Sequence, residues 1–402
     1  MRRALAALGL LVLAAALVYA GSRLWHTSVP GSLHLPSLDV RSEVAAAPLR
    51  RAESFEAFLR VMLLLSQVVL VVVLALYARR GAAYATRSAA GPIGTGFLLG
   101  MLGLGLTWLA GLPFAAVGLW WARRHHVVHT GYLSSLLGDW ASLGARFVLL
   151  CGALAIAMGL ARLLRRAWWV PVAVVFTAVT LLFAFVTPWL IADLHAPHST
   201  RVRSEAAVLA RTEGVPGVAV RIERVHKVTS TPNAYSAGLG PSRRVVLWDT
   251  IARFPYREVR FTLGHELAHQ ARHHILKDVA WYLLLALPIG LLVAVLTRGR
   301  GGLARPEAIP LALLIVVVAQ LVTSPLMAAK SRRYEAEADW SSLNVTRDPG
   351  AMIGLFRHFT SVGLADPDPP SWYQTLFADH PSGLERIAMA RAWAAREGVP
   401  VR

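Results

Sequence analysis

The sequence predicts a mainly α, polytopic helical membrane protein with about seven transmembrane helices and a small β-sheet plus helix domain outside the bilayer. Three observations predict it. The 402 residues are 55% hydrophobic and only 16% charged, with a mean hydropathy of +0.50, which is too little charge for the surface of a water-soluble chain. Seven runs, 4–22, 58–78, 96–121, 147–161, 168–192, 279–297 and 310–329, are nearly free of charge. Most reach the ~20 residues a helix needs to cross ~30 Å of hydrocarbon. Two longer polar stretches, 193–278 and 330–402, are left to fold outside it.

In chain order, the first run follows Met1-Arg2-Arg3 and closes on Val18-Tyr19-Ala20, features shared by a cleaved signal peptide and an uncleaved anchor; the anchor is the expectation. Residues 22–56, with Pro30, Pro36 and Pro48, are expected to form an irregular excursion. The fourth run is marginal: fifteen residues separate Arg146 from Arg162, so it spans only if both arginines reach towards the interfaces. Within 193–278, Ser199 to Thr212 reads as a helix, and Val218 to Val225 alternates apolar and polar as a half-buried strand does. Two further strands, Asn233 to Gly238 and Arg244 to Trp248, are joined through Gly240-Pro241-Ser242. A helix from about Arg257 follows Pro255, so a small sheet directly precedes it. The expected division is 1–192 for five transmembrane helices and their loops, 193–278 for the sheet and helix, 279–329 for the last two spans, and 330–402 for a helical C-terminal part.

The net charge of +18 comes almost wholly from arginine, the only lysines being Lys227, Lys277 and Lys330. Many of the arginines flank apolar runs, as in Arg79-Arg80, Arg123-Arg124, Arg165-Arg166 and Arg298-Gly299-Arg300, where they anchor helix ends against anionic headgroups. The aromatic and basic interleaving that stacks bases is missing, so the lipid bilayer is the expected partner and no nucleic acid is. Arginine over lysine and abundant alanine fit a GC-rich bacterial genome, which makes a bacterial cell membrane the expected location. The charge bias over seven spans puts the 193–278 domain outside, and dropping the fourth span reverses it, so the side stays open. Cys151 is the single cysteine; it excludes an intramolecular disulfide and a cysteine-rich zinc site, and reads as a small apolar filler.

The most informative stretch is His265-Glu266-Leu267-Ala268-His269. At about 3.6 residues per turn, the two imidazoles project from one helix face, one turn apart, where a single Zn²⁺ can bind both. Glu266 lies about 100° round the axis from His265, able to reach a metal-bound water without ligating the metal. That arrangement makes hydroxide at neutral pH in zinc hydrolases. Zinc needs a further protein ligand. A histidine six residues past His269 is absent, since position 275 is Ile and position 272 is Arg. Downstream, Ser331 to Asp339 brings Glu335 and Asp339 to one helical face at i and i+4, so one can ligate while the other orients a histidine through its ring N–H. Glu337 faces elsewhere and is expected to be solvated. His273 could line the site or pack at the interface; His125, His126, His129 and His274 carry no spacing argument.

With those motifs in place, the chain resembles the type I CAAX prenyl endopeptidases, membrane zinc peptidases whose bacterial cousins include the heat-shock membrane protease. The matching segments run from Leu112-Pro113 and the stretch to Asp139-Trp140, through Asn233-Ala234-Tyr235, Gly238-Leu239-Gly240 and Val246 to Thr250, to His265–His269 with His273. Glu335 to Asp339 and His380-Pro381-Ser382 with Glu385-Arg386-Ile387 complete the set. The resemblance implies one Zn²⁺ per chain held by His265, His269 and Glu335, with Glu266 as general base. It further implies Asp339 as the group orienting a ligand, His380 as a donor to the tetrahedral intermediate, and Asn233 and Ala234 on an edge strand that holds a peptide or membrane-protein segment. One region departs from the family. Where the relatives carry an acidic residue and a Gly-Phe-Asn run, this chain has Trp121 to His126 and Val128-His129-Thr130, so the reaction is implied and a prenylated substrate is not. Three other readings stand beside it: a quality-control protease of membrane proteins, a non-catalytic receptor of the same fold, and a transporter. The receptor would be marked by a lost base or ligand, and the set is intact. A transporter needs paired intramembrane polar groups, and Gln67, Gln320 and Thr323 stand isolated.

Overall fold

A computed structural model describes residues 2–85, 88–165, 167–191 and 193–401. Its N-terminal part comprises α1 (Arg2–Trp25), the short α2 (Val40–Glu43), α3 (Ala46–Arg80), the single turn α4 (Ala82–Ala85), α5 (Gly91–Arg124), α6 (Tyr132–Leu164) and α7 (Trp169–Leu190). Next come β1 (Leu194–His195), α8 (Thr200–Thr212), β2 (Ala219–Glu223), β3 (Ala234–Ala237), β4 (Arg244–Trp248) and α9 (Tyr256–Ala271). The C-terminal part holds α10 (His274–Leu296), α11 (Ile309–Thr346), α12 (Pro349–Gly363), α13 (Ser371–Leu376) and α14 (Gly383–Glu397).

Among the described residues, six helices are long and apolar enough to cross a membrane: Ala46–Arg80, Gly91–Arg124, Phe147–Leu164, Trp169–Leu190, His274–Leu296 and Pro306–Thr346. The seventh expected span, the first apolar run, forms α1, whose described apolar part Leu11–Trp25 is shorter. The marginal fourth run belongs to a 33-residue helix beginning at Tyr132. Residues 22–56 correct the expectation of an irregular excursion, since they contain α2 and the start of α3. Pro48 does not break α3 because it falls in the first turn, where the missing N–H has no intrahelical partner to lose. Val68 and Val72 of α3, Leu182 of α7 and Val322 of α11 are exposed, a liability in water and the natural surface of a helix facing acyl chains. Internal Pro113, Pro188, Pro288 and Pro325 fit the same setting, where neighbouring helices re-satisfy the freed carbonyls. The spans pack through small residues. A Cβ at Gly96 would stand 2.2 Å from Met158 Sδ, and one at Gly103 would stand 2.3 Å from Leu313 Cδ1, so the long side chains of α6 and α11 fill the space these glycines of α5 leave.

The sheet has the order β1-β2-β4-β3. β4 runs parallel to β2, pairing Val220 with Val245 and Ile222 with Leu247, and antiparallel to β3, pairing Ala234 with Leu247. β3 is thus an edge strand. Buried Val245 and Leu247 of β4 pack into one core with Leu209 of α8, Leu263 and Leu267 of α9, and Ile387 and Trp393 of α14. A second core lies between the spans, around Leu99, Met158, Val293, Ile309 and Ile315. The two regions are joined by α11, a single 38-residue helix, so the boundary expected at 329/330 falls inside it. α9 lies close along the far end of α11: a Cβ at Gly264 would meet Ser342 Oγ at 2.6 Å, and Ser342 Oγ donates to the Phe261 carbonyl at 2.7 Å. Gly264 precedes His265, and this contact brings the histidine face of α9 to the acidic face of α11.

Candidate metal centre

The i, i+4 spacing on α9 places His265 Nε2 and His269 Nε2 3.1 Å apart. From α11, Glu335 presents Oε2 at 3.2 Å from His265 Nε2 and Oε1 at 3.4 Å from His269 Nε2. The three ligand-type atoms lie within 4.8 Å of one another. Tetrahedral coordination at Zn–N distances of about 2.0–2.1 Å separates ligand atoms by about 3.3 Å, and the observed spacings bracket that value. The buried Glu335 Oε2 has no hydrogen bond among the described residues, and the two imidazole nitrogens converge with it on one point. The donor set therefore fits a zinc ion.

Around these three, the second interactions fix each ring. His265 Nδ1 donates to Asp339 Oδ1 at 2.9 Å, one helical turn below Glu335. Asp339 is completely buried and accepts a two-pronged hydrogen bond from Arg386 of α14, Nη2 to Oδ1 at 2.6 Å and Nε to Oδ2 at 2.7 Å. The Arg386 guanidinium also lies 4.2 Å from the Phe356 ring centre. Local sequence sets up this approach: Ser382 Oγ accepts from the Glu385 N–H at 3.1 Å while Glu385 Oε2 accepts from the Ser382 N–H at 2.7 Å. This capping box starts α14 with Arg386 turned inward.

On the other side of the site one expectation is corrected and the open choice for His273 is narrowed. Glu337 is not solvated. It is buried, with Oε2 3.0 Å from His274 Nε2 and Oε1 accepting from the Ser28 N–H at 2.6 Å, because the segment after α1 covers the face of α11 that sequence periodicity leaves unpartnered. His273 does not line the site: it takes a left-handed φ of 55° at the start of α10 and is exposed. That reversal turns the next residue inward, and His274 Nδ1 stands 3.0 Å from His269 Nδ1.

Glu266 is buried beside the pair. Burial lifts its carboxyl to about 7, with His265 opposing the rise and the Glu335 charge adding to it. Burial likewise pushes His269 down to about 3 against the pull of Glu335, which keeps the imidazole neutral. His265 goes the other way: despite burial, the hydrogen bond to Asp339 and the adjacent Asp339 and Glu335 carboxylates raise it to about 10, so the carboxylates favour a positive charge where a cation would bind. His380 precedes α14 and puts Nε2 3.4 Å from Glu335 Oε2, with Nδ1 2.8 Å from Asp379 Oδ1. Its side chain remains half exposed. Burial disfavours its protonation, but Glu335 and then Asp379 hold it above the ordinary histidine value. Asn233 and Ala234 stand at the start of edge strand β3, and β3 is tied to α9 by Gln270 Nε2, which donates to Ser236 Oγ at 2.7 Å and to the Ala237 carbonyl at 3.1 Å. The site residues that spacing arguments missed are His274, Glu337 and Arg386; only the motif around Glu385 to Ile387 hinted at the last.

Residues 197–394 match the sequence profile of peptidase family M48. The chain is 28% identical over 240 residues to the uncharacterized metalloprotease YhfN of Bacillus subtilis, covering 56% of each protein. It is 29% identical over 182 residues to a protease HtpX homolog of Methylibium petroleiphilum, covering 40% of this chain and 64% of that one. The chain thus spans somewhat under two thirds of these curated relatives. In fold, it superposes on the crystal structure of S. mikatae Ste24p with a TM-score of 0.70 at 16% identity, over 94% of this chain and 96% of the other. The apolar helices and these matches together mark an integral membrane protein with the fold of S. mikatae Ste24p and a peptidase family M48 match over residues 197–394.

Proposed function

We propose that the protein is a zinc-dependent endopeptidase that holds one ion through His265, His269 and Glu335 and cleaves extended peptide or membrane-protein segments. The observation carrying this reading is the convergence of two imidazole nitrogens and a carboxylate at 3.1–3.4 Å. A bound zinc would supply a Lewis acid that polarises the scissile carbonyl and lowers the pKa of water towards neutrality. Glu266, next to His265 but off its face, is the general base that takes the proton of the attacking water and returns it to the leaving amine. Its carboxyl, lifted to about 7, is matched to both transfers. Asp339 holds the His265 proton on Nδ1, which leaves the Nε2 lone pair for the metal. His380 donates to the oxygen that gains charge as the carbonyl becomes tetrahedral. The substrate adds to the open edge of β3 as a further strand, with Asn233 and Ala234 at its entry.

The reading is tested with Glu266→Gln. The amide cannot accept a proton, so kcat on an unstructured reporter peptide falls by about 10²–10⁴ while zinc content, measured by metal analysis of the same preparation, stays at the wild-type level. A variant that cleaves at the wild-type rate removes Glu266 from the mechanism.

A further inference from the structure

We propose that His274 and Glu337 are positioning residues for His269, fixing which ring nitrogen carries its proton and so how tightly the ring holds zinc. The inference rests on reading His269 as a ligand. His269 Nε2 is the nitrogen that faces His265 and Glu335, so binding there uses its lone pair and leaves the proton on Nδ1. That N–H points at His274 Nδ1, 3.0 Å away. To accept it, His274 must carry its own proton on Nε2, which stands 3.0 Å from Glu337 Oε2; an ionised carboxylate accepts and never donates. One protonation pattern satisfies every step: His269 Nδ1–H to His274 Nδ1, then His274 Nε2–H to Glu337. His265 reaches its carboxylate, Asp339, directly. His269 reaches one through an interposed imidazole.

The relay is rigid and dry. His274 and Glu337 are 2% and 3% exposed. The His274 ring lies flat on Tyr334, with centroids 4.6 Å apart and planes 4° from parallel. Tyr334 is itself pinned, donating to the Leu24 carbonyl at 2.8 Å and accepting from Trp281 Nε1 at 3.0 Å. Glu337 is held by the Ser28 N–H at 2.6 Å and lies 3.5 Å from Lys277 Nζ. A carboxylate hydrogen-bonded behind a ligating histidine orients the ring and raises its basicity, and losing such a partner weakens metal binding about 10–100-fold.

The measurement is the zinc dissociation constant of the full-length protein in detergent, by competition with a chelator, alongside the melting temperature of the metal-free form. His274→Phe keeps a flat ring on Tyr334 and removes both nitrogens. Zinc binding is expected to weaken about 10–100-fold. Glu337→Gln keeps an acceptor for His274 and removes only the charge, so a smaller weakening is expected at an unchanged metal-free melting temperature. His269→Ala serves as the reference. If His269→Ala loses zinc while His274→Phe and Glu337→Gln bind as tightly as wild type, the relay is overturned and the ligand set stands. If His269→Ala itself binds zinc like wild type, the ligand reading fails and the relay goes with it. Where His274→Phe does not fold, Glu337→Gln decides, and wild-type affinity in that variant overturns the proposal.

Discussion

Asp339 and Arg386 show what individual residues contribute around the cluster. Each is buried and charged, and they are joined to each other by two hydrogen bonds of 2.6 and 2.7 Å, with His265 adding a third to Asp339. Removing one partner of such a pair strands the other charge in a low-dielectric interior at a cost of about 3–5 kcal/mol, whereas an apolar pair of similar volume is often neutral. Asp339→Ala is therefore expected to lower the melting temperature far more than the double change Asp339→Leu with Arg386→Met; equal losses would show that the pair matters through packing alone. Legibility at this scale follows from distance along the chain. His265 with His269, and Glu335 with Asp339, are visible because i and i+4 share a helix face. Arg386 is 47 residues from Asp339, and no local periodicity connects them. His274 was hidden for a different reason: the left-handed residue His273 breaks the helical count between α9 and α10, so its five-residue separation from His269 carries no facial meaning.

Among the elements, β4 and the turn after β2 are held together by one carboxylate. Asp249, just past β4, accepts the backbone N–H groups of Val225 and His226, each at 3.0 Å, and pairs with the His226 ring; Arg253 is 3.7 Å away. Burial works to raise its pKa, but these donors outweigh it and hold the carboxyl below the ordinary 3.8. For a depressed acid, the unfolded chain takes up the proton first. The stabilisation is thus complete above the ordinary aspartate value and disappears as pH falls through the lower, folded one. Melting curves of wild type and Asp249→Asn should differ near neutrality and converge in acid; a constant difference across that range would show that the charge contributes nothing. At the same scale, the strands of the sheet were legible from alternation and turn residues, except β1, whose two residues give no pattern. The continuity of α11 was not expected, because the switch from apolar to charged residues at Lys330 reads as a boundary. No Gly or Pro occurs from 326 to 346, so there was no stop signal, and the helix runs from the bilayer into the site.

For the whole molecule, that continuity gives the metal a structural consequence. His265 and His269 come from α9 in the sheet-bearing region, while Glu335 comes from the helix that also packs against the spans. Arg386 of α14 is joined to the cluster through Asp339. An ion bound by this set ties together segments far apart in sequence, and the unfolded chain offers no such arrangement. A ligand that binds only the folded state stabilises it by RT ln(1 + [L]/Kd), about 4 kcal/mol at 1,000 times Kd. Chelation should therefore lower the melting temperature of the wild-type protein, and Glu266→Gln, which keeps all three ligands, should show the same drop. Glu335→Ala in excess zinc should already melt like the chelated wild type, with little further change when chelator is added. The comparison isolates the ligand from the base: both variants lose activity, but only one loses its zinc-dependent stability. If Glu335→Ala keeps the full zinc-dependent rise in melting temperature, the third ligand lies elsewhere, and α11 does not couple the membrane spans to the metal.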